Sequence, residues 1–258
     1  MNKPRASKYI FWTTAIFLIL PLLVLLFYSF NESRSFTWTG FSFIWYEKLF
    51  NESAQLWQAV NNSLIVAIVS SLIATVIGSL GAIAINWYKF FFKPYATALS
   101  FLPLVLPEIV LGVSILVFFN MIGLPLGMVS VIIAHTTFTL PFVLLMVMAR
   151  LSEFDFSIIE ASRDLGATEL QTLLRVIIPI SMPGIISGFL TAFTLSLEDF
   201  VVTLFVAGPG SSTLPLYIFS AIRFGVTPTI NAFSVLLIAV TVLLAVSVHR
   251  LFKYLIKA

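Results

Sequence analysis

Residues 151–179 read LSEFDFSIIEASRDLGATELQTLLRVIIP. Asp155 is placed to cap a short helix through SIIEASRDL, and Gly166 suits the left-handed position that ends one. Thr168 and Gln171, three residues apart, form a capping box that opens a second helix. Pro179 falls where that helix meets apolar sequence. The stretch reads as helix, sharp turn, helix. The runs on either side of it, 127–150 and 178–206, are apolar and long enough to cross ~30 Å of hydrocarbon as helices. A polar helical turn joining two membrane spans makes the fold class an all-α membrane protein.

The rest of the chain agrees. Hydrophobic residues make up 60% of its 258 positions and charged residues 10%, against about 25% charged in soluble proteins. Six spans are expected, at 9–30, 58–86, 97–119, 127–150, 178–206 and 230–252. Helices satisfy their own backbone groups in lipid, and the ~10-residue alternating segments of a barrel are not seen. The first run follows Lys3, Arg5 and Lys8, is too long for a signal-peptide core, and meets no small-residue cleavage site. It is read as a retained span. Residues 1–258 are read as one transmembrane domain, with 151–172 as a cytoplasmic loop within it. Cys is absent, which excludes disulfides, thiolate metal sites and a cysteine nucleophile.

Basic residues orient the spans. With the N-terminus inside, Lys3, Arg5, Lys8, Lys89, Lys93, Arg150, Arg163, Arg175, Arg250, Lys253 and Lys257 lie on the cytoplasmic side. Only Arg34, Lys48 and Arg223 lie outside. Both termini are thus placed in the cytoplasm. The first outer loop, with TWTGFSFIWYEKLF, is rich in interfacial aromatics. The last outer loop, GPGSSTLPLYIFSAIRFGVTP, is broken by Gly and Pro at both ends around a short amphipathic piece.

Glu160-Ala161-Ser162, then Gly166, then Val176-Ile177-Ile178-Pro179 resembles the EAA motif of ABC importer permeases, E-A-A, three residues, G, nine residues, I-x-L-P. Ser162 stands for the second Ala, and Val176 and Ile178 for Ile and Leu. Further segments, among them LPEIVLGVSILV, HTTFTLPFVLLMV, FTLSLEDFVVTLFVAGP and INAFSVLLI, are similar to C-type permease subunits of spermidine/putrescine ABC importers. Position 46 is often Trp in that family, and here it is Tyr46.

The resemblance implies a type I ABC importer permease (MetI-like) fold in a bacterial inner membrane. It implies three kinds of partner: a cytoplasmic ATPase dimer, a second permease subunit and a periplasmic polyamine-binding protein. The short helix with Glu160, Ala161, Ser162, Asp164 and Gly166 would be the coupling helix that docks on the ATPase. The chain itself has no Gly-Lys pair and hence no Walker A loop. ATP and Mg are therefore expected on the ATPase, with no cofactor, metal or catalytic residue on this chain.

Three acids lie inside the expected spans: Glu108, Glu198 and Asp199. Each costs roughly 2.5–3.5 kcal/mol at the bilayer centre on insertion scales, so each must face protein, water or a cation. The Lys and Arg residues that fall within span bounds, Arg150 and Arg250, sit at the cytoplasmic ends, so none lies at membrane depth to pair with them. At 100° per residue, Ser187, Thr191, Thr194 and Glu198 share one stripe of the fifth span, and Ser196, Asp199 and Thr203 share another. The candidate substrate path therefore holds Glu108, Glu198, Asp199, Ser196 and Tyr46, with Asp199 placed ahead of Glu198 as the substrate-facing acid. Counting 1.5 Å per residue places Glu108 near mid-membrane, at a depth similar to that of His135. A structural Glu108–His135 bond is the competing reading of that acid. Trp45 and Tyr46 read either as interface anchors or as a cation-binding cage.

Spaced carboxylates suit a polyamine, whose ammonium groups need anionic or carbonyl oxygens in place of water. An anion importer would not place acids here. The alternatives left open are an ABC permease for another small cation or solute, and a secondary transporter with Glu108 and His135 as a proton relay.

Overall fold

The computed structural model describes residues 4–34, 37–88, 90–153, 155, 157–223 and 228–257. Phe154 and Phe156 of the polar loop, Lys89, and residues 224–227 of the last outer loop lie outside the described residues. In chain order the helices are α1 (Pro4–Tyr28), α2 (Ile44–Asn51), α3 (Ala54–Trp87), α4 (Lys93–Val105), α5 (Glu108–Met121), α6 (Met128–Ser152) and α7 (Ser157–Asp164). There follow α8 (Glu169–Thr172), which runs through a π-helical segment (Leu173–Ile177) into α9 (Ile178–Glu198), then α10 (Val201–Val206), α11 (Leu214–Arg223) and α12 (Pro228–Lys257).

Five helical segments are long and apolar enough to span a membrane, and there are six if the bent pair α4–α5 is counted as one span. Two of the six expected spans are not single helices. The third, expected over 97–119 as one span bent at Pro103 and Pro107, turns by 114° between Val105 and Glu108. Pro107 forces the preceding residue out of the helical region, and Leu106 accordingly has ψ 136°. A depth for Glu108 counted along a straight helix does not hold, because Glu108 opens a new helix. The fifth, expected over 178–206, breaks at Asp199, whose ψ is 129°. No proline causes that break; side-chain bonding at Asp199 does, as described below.

Contacts divide the chain into two units, residues 1–55 with 220–258, and residues 56–219. In the first, α1 enters a tight loop in which the Glu32 N–H donates to the Gly40 carbonyl (3.0 Å) and the Ser42 N–H to Phe30 (2.8 Å). Trp45 is buried and its indole N–H donates to the Asn31 carbonyl at 2.7 Å. The Tyr46 hydroxyl bonds Ser29 Oγ at 2.8 Å, and its ring packs on Phe30 and Phe43. The interfacial aromatics thus form one packed cluster.

In the second unit, small residues let α3 and α9 pack closely on α6. A Cβ placed at Gly78 of α3 would lie 2.9 Å from Val143 Cβ, and one at Gly188 of α9 would lie 3.1 Å from Val143 Cα. One at Gly184 would lie 2.7 Å from Arg150 Cβ. Gly184, Gly188, Ala192 and Ser196 recur every four residues and are all buried, so one face of α9 forms a close seam along α6. Around this crossing Ala74, Val143, Leu144, Val147 and Ala192 form one apolar core, which Ile159 of α7 and Ile177 join from the polar loop. A second core joins Val66, Leu111, Val131, Ala134, Val202 and Val206 from α3, α5, α6 and α10.

Candidate functional site

The polar loop has the local structure its residues call for. Asp155 Oδ1 accepts the Ser157 N–H at 3.0 Å, at the start of α7. Hydrogen bonds from the Ser157 backbone and hydroxyl hold its carboxyl below the usual aspartate range. Gly166 has φ +83°, and the Ala167 N–H reaches back to the Ser162 carbonyl at 3.1 Å, closing α7 with a left-handed cap. Gln171 N–H donates to Thr168 Oγ1 (3.3 Å), while Thr168 N–H donates to Gln171 Oε1 (2.9 Å). This is the capping box read from sequence.

α7 is amphipathic. Ile159 is buried, Ser162 Oγ bonds Thr172 Oγ1 at 3.1 Å, and Arg163 lies over the Trp87 ring at 5.8 Å. Glu160, Ala161, Asp164 and Gly166 are exposed. The loop thus presents a short acidic helix that is fixed from behind and open in front.

The acids of the spans have different surroundings. Asp199 ends α9 and opens α10: its Oδ1 accepts the Val202 N–H (3.1 Å), and its Oδ2 accepts the Thr203 N–H (3.0 Å) and hydroxyl (2.9 Å). These bonds satisfy the donors a new helix leaves orphaned, and they explain a break without a proline. His135 Nε2 lies 2.8 Å from Thr203 Oγ1 and 3.2 Å from Asp199 Oδ2. Its Nδ1 lies 2.7 Å from Ser196 Oγ, which in turn lies 3.1 Å from Ser70 Oγ. The Thr203 hydroxyl spends its proton on Asp199, so its oxygen accepts from His135, which assigns an N–H to Nε2. Ser196, Asp199 and Thr203, one stripe in the sequence reading, do converge, and they converge on His135.

His135 therefore has Asp199, Thr203 and Ser196 as partners, and the Glu108–His135 bond is absent. Glu108 begins α5 at the helix break, with an exposed side chain that makes no hydrogen bond or ion pair among the described residues. It lines a cavity of about 280 Å³ with Pro103, Pro107, Phe138, Phe142 and Asp199. Glu198 is likewise exposed and unpartnered among the described residues, on the open side of α9 with Thr194 and Thr191. Tyr46 lies in the other unit, in the aromatic cluster. Sequence reasoning did not single out Phe138 and Phe142, which only the fold brings to Glu108. The break at Asp199 did leave a signal, an Asp placed to cap the run Val201–Val206.

No metal-binding cluster of His, Asp or Glu occurs among the described residues. The two helix breaks and α6 enclose an apolar, aromatic-walled cavity with one free carboxylate, which can accept an organic cation. Irregular backbone inside a span is tolerated where it lines such a cavity.

Comparison with known proteins places this geometry. Residues 74–258 match the family model described as binding-protein-dependent transport system inner membrane component. The spermidine/putrescine transport system permease protein PotC of Escherichia coli (strain K12) is 40% identical over 237 residues, covering 91% of this chain and 89% of that protein. Among solved structures, the MetNI methionine ABC transporter matches with TM-score 0.62 at 22% identity, over 75% of this chain and 92% of that one. A bacterial ABC transporter that imports the acidic polysaccharide alginate matches with TM-score 0.72 at 14% identity, over 95% and 94%. The last two share the fold while carrying unlike solutes.

Proposed function

Because the chain belongs to the binding-protein-dependent transport system inner membrane component family, and so is an ABC importer permease of MetI-type fold, we propose that it carries polyamines. In this reading it is the permease subunit of an ATP-driven importer of spermidine and putrescine, and forms half of the pathway with a second permease. A cytoplasmic ATPase pair binds ATP and Mg, and a periplasmic binding protein delivers the polyamine. The protein sits in a bacterial inner membrane with both termini in the cytoplasm, as its basic residues direct.

The observation that carries the substrate class is the near-full-length relation to the spermidine/putrescine permease. The chain's own chemistry supports it. Glu108 is a carboxylate without a partner among the described residues, in a cavity that Phe138 and Phe142 also line, a combination that attracts an ammonium through charge and through the ring faces. Glu198 supplies a second free acid, and a flexible chain with two or three ammonium groups suits two separated acids. Asp199 and Ser196 frame the path. Glu160, Ala161, Asp164 and Gly166 form the surface gripped by the ATPase, and Ser162 fixes α7 from behind through Thr172, so that closure of the ATPase reaches α9.

A proton relay through Glu108 and His135 finds no support, because the imidazole is engaged elsewhere.

The test is ATP hydrolysis by the assembled complex in lipid, with binding protein loaded with spermidine, with putrescine, or empty. Stimulation by the polyamine-loaded forms is expected. Equal rates with loaded and empty binding protein would overturn the substrate assignment, and stimulation by another small cation alone would reassign it.

A further inference from the structure

The proposed path leaves one fully buried titratable side chain without a task. His135 is 0% exposed, and both ring nitrogens are occupied by side chains of this chain. It cannot touch a passing solute. Its contacts instead tie together α3 through Ser70 and Ser196, α9 through Ser196, the break through Asp199, and α10 through Thr203.

We propose that His135 is a positioning residue: it clasps the α9–α10 break from both sides, so that Asp199 is held as a helix cap and Glu108 and Glu198 remain the free acids of the path. The inference rests on the permeation reading given above.

Three features carry it. First, the break is made by Asp199 alone. Its carboxylate caps α10 from within the same segment, and His135 is the contact by which α6 fixes the direction of that cap. Second, the clasp is two-sided. An imidazole offers polar atoms on opposite edges of a rigid ring, so one side chain bonds Ser196 before the break and Thr203 after it. A side chain with one polar end can hold only one of them. Third, the clasp adjoins the cavity. Asp199 belongs both to the network and to the cavity wall that holds Glu108. With Asp199 released, a second uncommitted carboxylate would face Glu108 across that cavity, and α10 would lose its cap.

The chain contains no Cys, so a single introduced thiol is a clean reporter. Val202 follows the break and is only 1% exposed. In the assembled importer in lipid, the V202C thiol is expected to react slowly with a maleimide. His135→Leu in the same chain should speed alkylation at least ~10-fold, because the local opening that exposes it becomes more populated. His135→Gln, whose single polar end can hold only one side of the break, should fall between the parent and His135→Leu. In uptake assays His135→Leu and Asp199→Asn should each raise the half-saturation concentration more than they lower the maximal rate. The double variant should lie within about 2-fold of the worse single one, since both undo one clasp.

Unchanged alkylation in the His135→Leu protein, or independent multiplication of the two uptake defects, would overturn the inference. If His135→Leu fails to assemble, Thr203→Val against the parent makes the same comparison, with faster alkylation expected for the variant and equal rates overturning the inference. Loss of polyamine specificity in the parent complex with the alkylation pattern intact would remove the substrate reading while supporting the clasp.

Discussion

Adding one methyl group at a time along α9 and α3 tests the close seam on α6. At Gly188 an added Cβ would lie 3.1 Å from both Cα and Cγ1 of Val143. The helix gains about 1 kcal/mol when Gly becomes Ala. Overpacking of this kind costs about 1–3 kcal/mol. With the middle of that range, Gly188→Ala is destabilising by about 1 kcal/mol. Gly184→Ala meets Arg150 Cβ at 2.7 Å and the Met146 carbonyl at 3.1 Å. It belongs at the upper end, about 2 kcal/mol net. Gly81 is the internal control, because its added Cβ would find only Leu144 Cδ1 at 3.7 Å, an ordinary contact. Gly81→Ala should be stabilising by up to about 1 kcal/mol. The assay is the thermal midpoint of the assembled importer in lipid discs, where 1 kcal/mol corresponds to about 2–4 °C for a domain of this size. Val143→Ala clears Cγ1 and should lessen the Gly188→Ala penalty while leaving that of Gly184→Ala unchanged. Equal midpoints for the 81, 184 and 188 variants, or a Val143→Ala that relieves both penalties alike, would refute the seam as the reason for these glycines.

Other outcomes follow from the loop and the cavity. Glu108→Gln should raise the half-saturation for polyamine uptake about 10-fold, the scale of one partly exposed charged hydrogen bond, with normal amounts of complex in the membrane. Gly166→Val should lower uptake and coupled ATP hydrolysis together, because φ +83° strains a branched residue even though an added Cβ would meet nothing within 4 Å; Gly166→Asn should be far milder. Asp155 has a depressed carboxyl, so its cap stabilises α7 fully above the usual aspartate value of 3.8 and is lost as pH falls through the lower folded value. Hydrogen exchange of α7 amides should therefore be flat from neutrality down to about pH 4 apart from the intrinsic rate, then quicken, and Asp155→Asn should remove that acid step.

The fold was legible where the signal was local. Span number and the helix–turn–helix at 155–172 rest on runs of apolar side chains, a glycine with positive φ and a capping box, each decided within a few residues. The bend at Pro107 was half legible: two prolines announced a distortion, but not that 114° separates α4 from α5. The cavity was not legible. Phe138, Phe142 and Glu108 are ordinary residues of two different spans, and only packing on α6 makes them neighbours. Angular counting did find that Ser196, Asp199 and Thr203 act together, because three residues of one segment keep their relative directions across a single short break.

The two adjacent acids show why charge inside a span cannot be read without partners. Counting along one continuous helix gave Glu198 and Asp199 a shared cost and different directions, and favoured Asp199 as the group that meets substrate. The helix, however, stops between them. Asp199 accepts two backbone N–H groups, a threonine hydroxyl and an imidazole contact, so its charge is answered inside the protein. Glu198, one residue earlier, ends α9 with its side chain exposed and unanswered among the described residues. A buried carboxylate with four partners has little left to offer a cation in transit, whereas a free one at a helix end or beside a proline break must find its counter-charge elsewhere. Unmet charge, more than charge as such, marks where a solute is expected, and of the three span acids Glu108 and Glu198 are the ones without a partner among the described residues.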